Sequence, residues 1–323
     1  MNIKKTYMLS IFVCLLVGGH AQDPYLTLKT SMPLMFNPAF AGNEYYTRAT
    51  LNYRNHYPAS GTGFATYSAS FDTYIDQYNS GLGLTLMSDQ MGSKVYSYNS
   101  AGLFYSYKIQ TGERNFFKTG LMANLYYGIN NPDGLLFPDM INPDGSVDPN
   151  SFTYDRNSKM GVDFGFGGLF DSKFMETGVA VYHLGKEEKP LYWSRPVRVY
   201  AHLELKIPIL DGPEYYPKTG IARYLQGSVL YPSLSANWQG SIMQWRIGAM
   251  YRFMNFNLGV YSRQNLNFSA FTNSFQIGYL SDIMDLYYVF DLGFTGKNYR
   301  GLATSSHEIG IVFKFATNKE ERF

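Results

Sequence analysis

The chain closes with a stretch in which large apolar residues alternate with small, polar or charged ones. The even positions from 308 to 314 hold Glu, Gly, Val and Lys. The apolar odd positions are Ile309, Ile311, Phe313 and Phe315. Because successive side chains of a strand point to opposite faces, this pattern predicts a β-strand with one apolar face. An unpaired apolar edge invites aggregation, and pairing with the first strand removes it. The stretch is therefore predicted to close a barrel.

The same alternation recurs along the chain and is clearest in residues 197–209, where apolar residues take every odd position. Such segments number about 14, which favours an all-β fold, a transmembrane antiparallel up-and-down β-barrel. The candidate strands are 48–56, 63–72, 80–88, 95–109, 116–129, 160–170, 174–184, 197–209, 225–238, 242–253, 256–263, 271–280, 286–294 and 308–315. Long connections at 130–158 and 211–223 are expected to be outer loops, and short ones periplasmic turns.

Composition indicates that the apolar faces meet lipid. Aromatic residues make up 17% of the chain, with 29 Tyr and 24 Phe beside 31 Gly. After the N-terminal region no apolar run approaches the ~20 residues that a membrane helix needs. Aromatic girdles and a wet lumen lined by glycine and polar residues are typical of outer-membrane barrels. A secreted β-sandwich is the alternative, but it would require two domains, and no linker-like composition divides the chain.

Residues 1–21 are predicted to be a cleaved signal peptide, with Lys4 and Lys5 before an apolar stretch and Gly19-His20-Ala21 at the cleavage site. An extended lead-in is predicted over 22–45, because prolines and a glycine interrupt it. The barrel follows over 46–316, and 317–323 form a short charged tail. Within the barrel, loop 130–158 carries two Asn-Pro-Asp-Gly turns and is predicted to be functional or disordered.

The residues give little support for chemistry. The one cysteine, Cys14, lies in the signal peptide, which excludes disulfides and thiolate metal sites from the mature chain. Lys4 and Lys5 leave with the signal peptide, so basic and acidic residues balance and nothing indicates nucleic-acid binding. His307-Glu308 lacks the second histidine of a zinc helix, because residue 311 is Ile, and is interpreted as a polar pair at a strand mouth.

Catalysis would need a serine and a histidine close in space, and no Gly-x-Ser-x-Gly elbow occurs. The available histidines are His56, His183, His202 and His307. Acidic residues of the long loop could bind calcium through oxygen, but their spacing fits no EF-hand and turn formation is the preferred interpretation. These residues are Asp133, Asp139, Asp144, Asp148 and Asp155. No catalytic, cofactor-binding or metal residue is assigned, and no cofactor is expected.

Three runs of residues carry a family resemblance. Asn37-Pro38-Ala39-Phe40-Ala41-Gly42 is followed by Leu51–Pro58 and by Thr66–Asp72, with a late echo at Ser306–Ile309. This succession resembles the PorP/SprF family of type IX secretion system outer-membrane proteins. His56-Tyr57 departs from the Gln-Trp that the family usually has there.

The resemblance implies a non-enzymatic barrel in the outer membrane that supports export of particular proteins, including surface adhesins used in gliding. Implied partners are outer-membrane lipid, the translocon barrel, periplasmic lipoproteins and the exported cargo or adhesin. A passive porin or uptake channel is the alternative function, and an outer-membrane enzyme without a visible site is a third. Periodicity does not separate the first two; the N-terminal runs favour secretion.

Overall fold

A computed structural model describes residues 23–315 apart from short gaps. The residues outside the description are 1–22, 45, 59–62, 93–94, 132–134, 136–139, 143, 149–156, 186–194, 211–227, 267, 269, 296–302 and 316–323. The predicted signal peptide and charged tail therefore lie outside the described residues.

Antiparallel strands make up most of the described chain. They are β1 (Thr47–His56), β2 (Phe64–Ile75), β3 (Ser80–Met91), β4 (Tyr96–Gln110), β5 (Phe116–Asn130), β6 (Asn157–Asp171), β7 (Met175–Tyr182), β8 (Arg198–Leu205), β9 (Ile207–Leu210), β10 (Ser228–Gln239), β11 (Ile242–Phe253), β12 (Phe256–Asn265), β13 (Ala270–Leu280), β14 (Met284–Thr295) and β15 (Ala303–Phe315). Short 3-10 turns occur at Pro33–Met35, Pro38–Phe40 and Asp76–Tyr78. None of the described helices is long and apolar enough to cross a membrane.

The sheet closes on itself. β15 pairs with β1 over ten residues, with Ile311 opposite Leu51 and Glu308 opposite Arg54. β8 and β9 both pair with β10, so they are two halves of one barrel strand interrupted at Lys206. The barrel therefore has 14 strand positions, and the predicted seam between the last and first strands is confirmed.

The two faces of each strand are those that the alternation predicts. In β15, Ile309 and Phe315 are 46% and 50% exposed, whereas Glu308 and Val312 are 0% and 3% exposed. Leu203 and Leu205 of β8 are exposed as well, while Tyr200 and His202 are buried on the other face. The apolar face thus points outward to lipid, and the polar face points into the lumen.

The two ends of the barrel differ in the length of their connections. Short turns join β2 to β3, β4 to β5, β6 to β7, β11 to β12 and β13 to β14, at the end where β1 begins. By the usual arrangement of outer-membrane barrels this is the periplasmic end, here called the inner end. Residues 131–156 and 183–197 connect strands at the outer end.

One long connection is at the end opposite to its expected position. Leu210 and Ser228, which pair with each other, flank residues 211–227 at the inner end. The expectation of an outer loop at 211–223 is therefore wrong. The reason is parity, because the connection follows an even-numbered barrel position and must return to the side of the short turns.

The lumen is filled by the segment that precedes β1. Residues 23–43, called the plug from here on, lie inside the barrel, and Leu28, Met32, Leu34 and Ala39 are fully buried there. This replaces the predicted extended lead-in with a folded segment containing two 3-10 turns. The prediction of a wet lumen is wrong where the plug packs, because its apolar side chains gain burial against the wall.

Candidate functional site

The plug runs along the lumen from the outer end to the inner end. Asp23 donates its backbone N–H to Gln239 Oε1 (3.1 Å), and Gln239 is the last residue of β10 at the outer end. At the inner end the backbone carbonyl of Ala41 accepts a hydrogen bond from Ser106 Oγ (2.7 Å). Between these points the plug contacts strands on both sides of the barrel, so it bridges the lumen as well as following its length.

The Asn37–Gly42 run owes its shape to its first two residues. Asn37 caps a 3-10 turn by accepting the N–H of Ala39 (2.9 Å), and Pro38 supplies the fixed φ that suits the first position of such a turn. The Asn37 amide also donates to the carbonyls of Gly168 (3.0 Å) and Val179 (3.3 Å). These two carbonyls belong to neighbouring strands β6 and β7, so one fully buried side chain joins the plug to both.

Glycines of the wall make room for this run. A Cβ on Gly120 would lie 2.2 Å from the nitrogen of Ala39, and one on Gly81 would lie 2.0 Å from the carbonyl oxygen of Ala41. Both distances are far shorter than van der Waals contact, so only glycine permits the backbones to approach. Gly42 itself takes φ +54° and donates its N–H to Asp72 Oδ2 (3.0 Å). The lumen glycines predicted from alternation therefore accommodate the plug.

A buried ion cluster attaches the outer half of the plug. Arg54 of β1 contacts Asp291 Oδ2 (2.5 Å) and Glu308 Oε2 (2.7 Å), and all three side chains are at most 2% exposed. Glu308 also accepts the backbone N–H groups of Thr27 (2.7 Å) and Leu28 (3.2 Å). The carboxylate thus gives the extended plug backbone the hydrogen bonds that a neighbouring strand would otherwise supply.

The predicted strand-mouth interpretation of Glu308 is wrong. Glu308 lies in the middle of β15 and faces the plug, whereas His307 points outward, where its Nδ1 lies 2.8 Å from Tyr288 Oη. The two residues lie on opposite faces because consecutive residues of a strand always do. The two side chains therefore cannot act together at one site. Glu308 lies on the lumen face of the strand, and His307 lies on its outer face.

The polar residues of β7 and β8 also bind the plug. Lys29 contacts Glu176 (3.0 Å) and Glu204 (3.3 Å), and Phe36 packs edge-on against Tyr200 at 5.4 Å between ring centroids. Glu204 and Tyr200 belong to the polar face of residues 197–209, whose charges fit a solvated face and a wet lumen equally well on the sequence alone. They are instead partners of the plug.

The outer end of the plug is held by a second charged cluster. Asp23 contacts Arg195 (2.9 Å), Arg198 (3.3 Å) and His183 Nε2 (2.7 Å), while His183 Nδ1 contacts Asp163 (2.7 Å). Burial lowers the pKa of His183, but the Asp23 and Asp163 carboxylates outweigh it and raise that pKa to about 9. The pKa of Asp23 is correspondingly held well below its usual range, since its cationic partners outweigh the effect of burial.

The sequence of this plugged barrel matches a known protein family. The family model described as type IX secretion system membrane protein PorP/SprF matches residues 19–313. The chain belongs to the PorP/SprF family. It is accordingly an integral outer-membrane protein, and the Asn37–Gly42 run that carried the resemblance is the part of the plug anchored to β6 and β7. A comparison with curated proteins finds no significant match.

A solved channel structure shares the barrel fold. The CymD monoaromatic hydrocarbon channel aligns with a TM-score of 0.51 and 12% identity, over 90% of this chain and 94% of that one. A Pseudomonas aeruginosa FadL homologue aligns with a TM-score of 0.43 and 12% identity, over 93% and 95% of the two chains. At 12% identity the likeness to the CymD channel concerns the fold alone.

The structure separates the four histidines of this PorP/SprF protein from one another, and one of them lies beside a serine, with His56 Nδ1 3.4 Å from Ser306 Oγ. His56 Nε2 accepts from Arg54 Nε (2.8 Å), His183 belongs to the outer cluster, and His202 lies near Glu176. No group of metal ligands occurs among the described residues. In the long loop, Asp144 accepts the N–H and hydroxyl of Ser146, which is the turn-forming role preferred from the sequence. Asp133, Asp139 and Asp155 lie outside the described residues.

Proposed function

We propose that this PorP/SprF protein is a non-enzymatic component of the type IX secretion and gliding machinery. It supports export or surface display of specific cargo proteins by binding other components, namely the translocon barrel, periplasmic lipoproteins and the cargo itself. The observation that carries the proposal is the plug. A barrel whose lumen is filled by its own chain offers its two ends, not its interior, to partners.

The alternative of a passive porin is disfavoured by the same observation. Porin lumens are water-filled, and their conduction depends on a continuous polar path. Here Leu28, Met32, Leu34 and Phe36 bury apolar side chains across the lumen, each stabilised by about 1.5–3 kcal/mol when removed from water. In planar bilayers we expect the purified barrel to show little ion conductance. A steady open-channel conductance would support the porin function instead.

The function is tested by removing the gene and comparing the proteins on the cell surface and in the medium. We expect a limited set of exported proteins to disappear, while other outer-membrane barrels keep their abundance. Restoring the gene should restore that set. A normal set of surface proteins combined with impaired uptake of a small solute would overturn the proposal in favour of a channel.

The outer loop offers a separate test of cargo binding. We propose that residues 130–158 contact exported cargo or another secretion component, because this connection is long, polar and at the outer end. Its described turn is fixed by Asn142, which accepts the N–H of Gly145 through its carbonyl (2.9 Å). Replacing residues 131–155 with a short Gly/Ser linker should leave a folded barrel but reduce cargo display. Normal display in such cells would place the cargo contact elsewhere.

A further inference from the structure

A polar cavity of about 200 Å³ lies at the outer end of the lumen beside Asp23 and Tyr25 of the plug. At ~30 Å³ per water, it has room for roughly seven waters or one small organic molecule. Ile242 is the one aliphatic side chain among the described residues that line it. The lining hydroxyl groups belong to Tyr25, Tyr57, Thr272, Thr304 and Ser306.

One cation of this cavity has no carboxylate partner. Arg263 stacks on Tyr25 with 3.7 Å from its Cζ to the ring centroid, and donates one long hydrogen bond to Thr272 Oγ1 (3.4 Å). No acidic group lies within ion-pair distance of Arg263 among the described residues. Of the two acids that line the cavity, Asp23 is engaged by the outer cluster and Asp291 by Arg54 through Oδ2, while Asp291 Oδ1 has no hydrogen-bond partner among the described residues. Most of the five N–H donors of Arg263 are therefore available to an acceptor.

A second donor in the lining is unpaired. Gln239 is 5% exposed, and its Nε2 has no hydrogen-bond partner among the described residues. The orientation of this amide is fixed, because the N–H of Asp23 requires Oε1 as its acceptor. Nε2 is therefore the donor that remains, and burying a donor without a partner carries a free-energy cost. A ligand with acceptor oxygens would remove this cost.

We propose that the cavity binds a small hydroxylated carboxylate of the uronic acid class. The carboxylate would accept from Arg263 and Gln239, since paired N–H donors suit its two oxygens. The hydroxyl-lined wall suits a sugar ring, and Tyr25 and Tyr57 provide aromatic surface beside it. A peptide terminus is a poorer match, because the lining offers only Ile242 to an apolar side chain.

The site is tested with the full-length barrel purified in detergent, titrated calorimetrically with D-glucuronate. D-glucose is the matched control, because it has the same ring hydroxyl groups and carries an uncharged hydroxymethyl group where glucuronate has its carboxylate. We expect glucuronate to bind at least tenfold more tightly than glucose. Arg263→Gln should remove this preference. Gln239→Glu should also weaken binding at least tenfold, since it keeps the acceptor for Asp23 but replaces the free donor with a charged oxygen. Arg252→Gln, at the inner end of the lumen, should change nothing.

The outcomes separate the possible ligands. Absence of glucuronate binding, or equal binding of glucose, overturns the proposal, and so does tighter binding of N-acetylalanine, which carries a peptide-like terminal carboxylate. A disaccharide ending in glucuronate distinguishes the sources. If it binds as well as the monosaccharide, the ligand is the end of a glycan chain, and if it does not, the ligand is a free sugar acid. None of these measurements depends on cargo display. A negative result for the ligand therefore leaves the proposed function in secretion unaffected, and the reverse also holds.

Discussion

The strongest prediction concerns Glu308, because four donors converge on its carboxylate. Oε2 accepts from Thr27 N (2.7 Å) and Arg54 Nη1 (2.7 Å), while Oε1 accepts from Leu28 N (3.2 Å) and Asn52 Nδ2 (3.0 Å). Replacing Glu308 with Gln puts an NH2 group opposite two of these donors and removes one charge from a buried ion cluster. Removing one partner of a buried pair costs about 3–5 kcal/mol.

This cost should appear as easier release of the plug. At the lower end of that range, the free energy that holds the plug against the wall falls by about 3 kcal/mol. This raises the population of the released state about 150-fold. Ser31 is fully buried in the plug, and the one cysteine of the sequence, Cys14, lies in the predicted signal peptide. A Ser31→Cys variant therefore reports release through its rate of maleimide labelling. We expect Glu308→Gln to raise that rate by two orders of magnitude or more while the barrel stays heat-modifiable in gels.

A matched substitution controls for the loss of any lumen carboxylate. Asp171 pairs with Lys206 on the wall at the inner end, without a plug residue in the pair. Asp171→Asn should leave the labelling of Cys at position 31 within a few-fold of the parent. If both substitutions accelerate labelling equally, or if Glu308→Gln leaves it unchanged, the carboxylate does not hold the plug and the reasoning is refuted.

Three further predictions follow from the faces and contacts of the barrel. Leu203→Arg places a charge on the lipid face, at a cost of about 2–4 kcal/mol near the bilayer midplane, so the fraction of heat-modifiable barrel should fall; an unchanged fraction would mean that the face is not in lipid. Gly120→Val should expel the plug, because even a Cβ would meet Ala39 at 2.2 Å, whereas Gly63→Val, with nothing within 4 Å, should not accelerate labelling of the plug. The folded pKa of His183, about 9, lies above its unfolded value near 6.5, so its contribution to stability is full below about pH 6.5 and is lost as pH rises through about 9. The difference in melting temperature between the parent and His183→Gln should therefore shrink from about pH 7 to about pH 10, and a constant difference would contradict this role.

The barrel could be predicted from the sequence because its signal is local. A strand with one face in lipid must place an apolar residue at every second position, and the stretch from Ile309 to Phe315 does so without help from its neighbours. The same logic assigned Leu203 outward and Tyr200 inward, as the structure has them. One short alternating stretch is weak evidence for a strand. The recurrence of the alternation along the chain is what made the prediction of a barrel strong.

The plug could not be predicted in this way because its burial has no period. Leu28, Leu34 and Phe36 are spaced irregularly between prolines, and what buries them is a wall made of residues far away in sequence. Each of the charges Arg54 and Glu308 is, by itself, what a wet lumen would also contain. A signal was present in the sequence, however: the lead-in is rich in large apolar residues that an exposed periplasmic segment would not need.

The contents of the lumen also limit what the barrel can do. The wall carries buried charges at Arg54, Asp291 and Glu308, which in an empty barrel would be hydrated. Within the folded protein two of the four donors to Glu308 are backbone groups of the plug, and the lumen glycine Gly120 fits no side chain while the plug is seated. Wall and plug are thus complementary down to single atoms, and opening a pore would expose Leu28, Met32 and Leu34 to water at a cost of about 1.5–3 kcal/mol each. A barrel built in this way is most stable closed. Its proposed contribution to secretion is therefore expected at the two ends of the barrel.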